Sequence, residues 1–124
     1  MAFQFSNNRH AEVSITVTAQ TDLAASIGKA VCLTGANSYE VDLGTADDKV
    51  LGELESFKGD QGTVRIQGVL VLPYSGTAPT VGDMIVSAGS GAVKTASGAQ
   101  IAAGTAVGHV LSVNTTNVTV DVLL

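Results

Sequence analysis

The 124-residue sequence predicts an all-β fold, a compact small β-barrel or sandwich of about nine short strands, and three observations carry that expectation. Valine and threonine, whose branched side chains suit a pleated surface, occur seventeen and thirteen times. In EVSITVT (12–18) the apolar residues Val13, Ile15 and Val17 alternate with polar neighbours, the period-two pattern of a half-buried strand. Clusters of Gly, Asn, Asp, Ser and Pro (GANS, GTADD, KGDQG, PYSGTAPT, GSG, NTTN) punctuate the chain with residues that accept positive φ or preset a turn.

Taken in order, the strands are expected at EVSITVT (12–18), KAVCLT (29–34), YEVDL (39–43), KVLGELES (49–56) and TVRIQGVLVL (63–72). DMIVSA (83–88), AVKTA (92–96), AVGHVLSV (106–113) and NVTVDVLL (117–124) follow. Two short stretches compete as helix. In TDLAASIG (21–28), Thr21 or Asp22 would cap one turn and Gly28 would close it; AQIAAGTA (99–106) is Ala-rich. Both are too short to change the fold class. The segment GDMIVSAGSGAVKT reads as a hairpin with Gly89 to Gly91 at its tip.

The chain also echoes itself. IGKAVCLTGANSYEV (27–41) is similar to VGDMIVSAGSGAV (81–93) at an offset of 54 residues. Each copy leads to a later strand with an internal glycine, Gly52 or Gly108, and to a closing alternating strand, VRIQGV or VTVDVLL. A duplication giving two related halves accounts for this, as does chance in a chain rich in Val, Gly and Ala.

Composition narrows the function. Hydrophobic residues make up 45% but aromatic residues only 4%, with no Trp, so small aliphatics must fill the core and extra burial is expected from an oligomer or a partner surface. A net charge of −5 with only six scattered basic residues argues against nucleic acid as partner, because phosphate binding needs a basic stripe. No basic segment followed by an apolar stretch opens the sequence, and no apolar run approaches the roughly 20 residues that span a bilayer. A soluble, cytosolically made protein with no membrane association is therefore expected.

Catalytic and metal motifs find little support. Lone Cys32, between Val31 and Leu33, reads as a small buried apolar residue. His10 and His109 stand on separate segments with no ligand at metal-binding spacing, and His109 reads as a strand residue facing solvent or a neighbouring subunit. Lys94 and Thr95 follow a Gly-rich tip, but Val93 stands where a phosphate loop requires glycine. The acidic residues Asp42, Asp47, Asp48, Glu53, Glu55 and Asp60 lack the calcium-loop pattern, and Glu53 and Glu55 read as one solvated strand face. A non-enzymatic protein without cofactor or metal is the expectation.

The oddity is at the start. Phe3 and Phe5, two of only three phenylalanines, lie in MAFQFSNNRHA ahead of the first strand. This segment either packs its rings onto the protein's own sheet or acts as an arm, residues 1–11, that docks on a neighbouring subunit or larger surface. In the second case Phe3 and Phe5 are anchors and Arg9 and His10 polar contacts, with residues 12–124 forming the single β-domain.

From VRIQGVLVL to VTVDVLL the chain resembles the capsid decoration, or cement, proteins of tailed bacteriophages. VRIQGV, VGDMIVSA, GAVKTA, GTAVGHVLS and VTVDVLL occur in that family's order, and GKAVCLT with KVLGELES is similar to its preceding half, so the likeness covers residues 28–124. The resemblance implies a β-barrel or sandwich that binds the outside of an assembled capsid, with the major capsid protein as partner, commonly as a homotrimer in the virion, and it brings no catalytic residues. Other phage head-fibre or tail β-modules share these signatures. A secreted glycan-binding or adhesin module is the alternative from another class; the sequons Asn114-Thr115-Thr116 and Asn117-Val118-Thr119 would suit it, but the scarcity of aromatics argues against a sugar platform.

Overall fold

The computed structural model describes residues 12–124 and is mostly β, with ten strands rather than nine. They are β1 (Val13–Ala19), β2 (Ala30–Leu33), β3 (Glu40–Asp42), β4 (Gly52–Lys58), β5 (Gln61–Gln67), β6 (Val69–Pro73), β7 (Ile85–Gly89), β8 (Ala92–Thr95), β9 (His109–Asn114) and β10 (Thr119–Leu123). The extra strand comes from TVRIQGVLVL, expected as one run. It breaks at Gly68, whose φ of 111° is open to glycine and strained for other residues, so the alternation reads through while the backbone turns into a different sheet. The two helical competitors become a 3-10 turn at Ala24–Ser26 and a five-residue helix, Gly98–Ala102. Asp22 accepts from the Ala24 N–H before the first, and Ser97 and Gln100 close a reciprocal capping box on the second.

The first five strands close a barrel in the order β1-β3-β2-β4-β5. The last five repeat it. Sheets β6-β10-β9 and β7-β8 are joined by bridges between Tyr74 and Val93 and between Ile85 and Val107, giving the cyclic order β6-β8-β7-β9-β10.

Individual hydrogen bonds recur as well. Gly28 N–H donates to Leu54 and Leu54 N–H to Lys29; in the second half Gly82 donates to Val110 and Val110 to Asp83. Leu51 donates to Val31 as Val107 does to Ile85, Ala19 to Asp60 as Tyr74 to Val118, and Gln20 to Val41 as Ser75 to Val93. Even the irregularities match: Leu54 and Ser56 face Val64 and Thr63 with Glu55 left over, while Val110 and Ser112 face Val122 and Asp121 with Leu111 left over. The resemblance of 27–41 to 81–93 is thus one stretch of a duplication that runs through both barrels. Chance similarity in composition does not produce matching bulges.

Each barrel buries the corresponding side chains. The first core contains Val17, Val31, Val41, Leu54 and Val64; the second contains Leu72, Ile85, Val93, Val110 and Val122 at the same places in the repeat. Full burial of an aliphatic of this size is worth about 1.5–3 kcal/mol, so many small pieces replace the few large aromatics of a typical core.

A single residue, Gly68, links the barrels, and several cross-ties hold them together. Ala30 N–H donates to Gly91, Asp47 to Ser87 and Ser87 to Asp48, while Lys94 pairs with Asp47 at 2.8 Å. The hairpin between β7 and β8 turns at Ser90 and Gly91, both at positive φ, as a two-residue hairpin loop requires. This is the role of the Gly-rich stretch: its tip reaches Lys29 and Leu43 of the first barrel.

Candidate docking surfaces

Phe3, Phe5, Arg9 and His10, the docking residues suggested by sequence, lie outside the described residues. The remaining candidates fall on three surfaces.

An open groove of about 750 Å³ is lined by Cys32, Leu33, Asp42, Asp48, Val50 and Leu51 among others. Cys32 is buried there, as expected. Loss of hydration, reinforced by the nearby Asp48 and Asp42 charges and only partly offset by a hydrogen bond with Ser87, pushes its thiol up to about 11. Such a thiol is neutral and a poor nucleophile near neutrality. Among the described residues no three His, Cys, Asp or Glu side chains come together to hold a metal ion, and no helix is long and apolar enough to cross a membrane.

The second surface is the outer face of β1, β4 and β5. Glu53 stands opposite Arg65, which stands opposite Ser14. Arg65 pairs with Glu55 at 2.7 Å and with Glu12 at 3.6 Å, and the Ser14 hydroxyl donates to Glu55. Glu53 and Glu55 are therefore not a freely solvated face: both are half-buried, because β6 of the second barrel comes alongside β4.

Loss of water raises the pKa of Glu53, and the like charges of Glu55 and Glu12 add to the rise; Arg65 and the neighbouring Val71 N–H oppose it. One Glu53 oxygen, Oε1, is buried without a partner among the described residues. The folded state thus binds the Glu53 proton more tightly than the unfolded chain does. Between the two pKa values stability falls as pH rises, and the cost of the buried carboxylate is fully present above the folded value. Glu53→Gln is expected to raise the thermal midpoint at pH 7 and to leave it unchanged at a pH below the ordinary glutamate value, a difference that thermal melts across pH 3–7 would read.

The third surface is the matching face of the second barrel, on β6, β9 and β10. Val69, Leu123 and His109 form one cross-strand row, Val71, Asp121 and Ser112 the next, with Leu111 at the bulge. Relative exposures are 48% for Val71, 46% for Leu111 and 45% for Leu123, so aliphatic side chains stand in the open. His109 is exposed in this face, in keeping with the strand role read from sequence.

The duplication supplies an internal control. Position for position, Ser14, Thr16, Glu53, Glu55 and Arg65 on the first barrel correspond to Val69, Val71, His109, Leu111 and Leu123 on the second. The backbone accepts polar residues at every one of these places, so the aliphatic Val69, Val71, Leu111 and Leu123 on the second barrel are not required by the fold. Grouped exposed aliphatics of this kind mark contact surfaces. Sequence reading missed this face because its residues fit the same alternating pattern as a strand with both faces covered; aligning the two repeats residue by residue would have exposed the contrast.

No family model matches the chain. No curated protein matches it either.

Proposed function

We propose that the chain is a non-enzymatic structural protein that decorates the outside of an assembled phage capsid and stabilises the shell. The observation that carries this reading is the pair of cross-tied barrels with the same backbone and divergent outer faces, one built on an ion pair and one richer in exposed aliphatics. Such a body serves to hold neighbours at a fixed spacing. The likeness of residues 28–124 to the cement proteins points to the capsid as the surface held, with the major capsid protein as partner and a homotrimer as the working unit.

The physics of the role is mass action: a protein that binds only the intact shell stabilises it against disruption. Several copies joined in one assembly present several contacts, and multivalency raises avidity by about 10²–10⁴ where the geometry permits simultaneous engagement. An acidic chain with a net charge of −5 suits a partner other than nucleic acid. In this reading residues 1–11 are the docking arm, with Phe3 and Phe5 as apolar anchors and Arg9 and His10 as polar contacts.

Co-sedimentation with undecorated expanded phage heads, followed by thermal disruption of those heads, tests the proposal. Binding and a raised disruption temperature are expected, and deletion of residues 2–10 should weaken both. Absence of binding together with an unshifted disruption temperature would overturn it.

A further inference from the structure

We infer that the aliphatic outer face of the second barrel is the seat of a second copy of this chain, which lays the open edge of its own β1 there, head to tail. The inference depends on the duplication and not on the capsid reading.

Within one chain the corresponding contact already exists. The outer face of the first barrel is partly covered by β6, whose Val71 backbone lies beside Glu53. In the repeat, Glu53 corresponds to His109, and β6 corresponds to β1. The residue that stands to a neighbouring copy's His109 as Val71 stands to Glu53 is therefore Thr16.

β1 has the edge this requires. It pairs with β5 along its length, but among the described residues its other side meets only β3, at Thr18 and Ala19, so within them the stretch before Thr18 is an edge as β6 is before Tyr74. Ser14 and Thr16 are exposed on it. The receiving face suits a seat better than its twin: Val71, Leu111 and Leu123 replace Thr16, Glu55 and Arg65, so a neighbour covering them would bury aliphatic surface without stripping water from an ion pair, while Asp121 in the same row keeps the Ser112 hydroxyl as a partner.

The two partner surfaces are different patches, so the contact is heterologous. Such contacts close into a ring when the rotation between copies allows it and otherwise continue as a filament.

The test uses the full chain, light scattering for mass and circular dichroism for fold. Leu111→Glu with Leu123→Glu places two like charges on the exposed second face, which a seated neighbour would have to strip of water. Thr16→Lys places a charge on the β1 edge, a common device against edge pairing.

The parent should assemble beyond one chain. Each variant alone, folded, should fall to the single-chain mass of 12.5 kDa, and an equimolar mixture of the two should recover a species of twice that mass, since one intact face and one intact edge remain.

Three results would overturn the inference. A parent that stays monomeric at the highest soluble concentration would do so, whether or not deletion of residues 2–10 then frees the face. So would assembly that survives both variants, or a mixture that stays monomeric while both variants are folded.

Discussion

Gly52→Ala is expected to lower the stability of the protein by about 3 kcal/mol, read as a fall in thermal midpoint of roughly 10 °C. A β-carbon at this position would land on the carbonyl oxygen of Arg65 and within 2.9 Å of the Val64 side chain. Backbone cannot step aside as a flexible side chain can, so β4 and β5 would have to part where the first barrel closes. Gly108 holds the same place in the repeat, and its β-carbon would meet Leu124 and Val122 at 2.7 Å while φ sits at +63°. Gly108→Ala should therefore be destabilising to a similar degree. Gly98→Ala is the control, because nothing lies within 4 Å of the added atom and φ is ordinary there; a change within about 0.5 kcal/mol is expected. Equal midpoints for Gly52→Ala and Gly98→Ala would contradict the close approach of the strands.

Leu54→Ala and Leu72→Ala should each cost about 3 kcal/mol, one in each core. Both side chains are fully buried, so each truncation removes contacts and leaves a cavity. The more informative result is the shape of the melt. The barrels share the Ala30–Gly91, Asp47–Ser87 and Ser87–Asp48 hydrogen bonds, and Ala30 and Val50 of the first half belong to the core cluster of the second. A single transition that shifts as a whole is expected for either variant by calorimetry. Two separate transitions, with Leu72→Ala moving only one of them, would mean that the cross-ties are too weak to couple the halves.

Much of the architecture was legible in the chain because strands announce themselves by alternation and turns by composition. EVSITVT and the AGSGAV hairpin lie where their patterns place them. The run 63–72 misled because hydrophobic alternation continues across Gly68, and a sharp turn made by one glycine leaves no polar cluster to mark it. The echo between Ile27 and Val93 was visible, but its extent was not. β4 with β5 and β9 with β10 share hydrogen bonds and bulges while sharing few side chains, since a bulge is set by backbone geometry rather than by any one residue type.

Surface properties were the least legible. Glu53 and Glu55 read as solvated because their neighbour, β6, is brought to them only by the packing of the two barrels. The aliphatic face of β9 and β10 stayed hidden for the converse reason: alternation tells which residues share a side of a strand, not whether anything covers that side. Lys94, set aside as a phosphate ligand, ties the second barrel to Asp47 of the first. That partner depresses the Asp47 carboxyl below its ordinary value, with Gln100 adding a second hydrogen bond.

The junction at Gly68 does more than turn the chain. Its amide and carbonyl are both engaged by Leu124, and the Cα of Glu12 lies 3.3 Å from where a Gly68 side chain would begin, so three distant points of the backbone meet at one spot. A circular permutant opened at Gly68, with Leu124 joined through a short linker to Glu12, would trace the same two barrels in reversed succession. For the same reason, a passenger fused after Leu124 would emerge beside Gly68 and Glu12, at the junction of the two barrels.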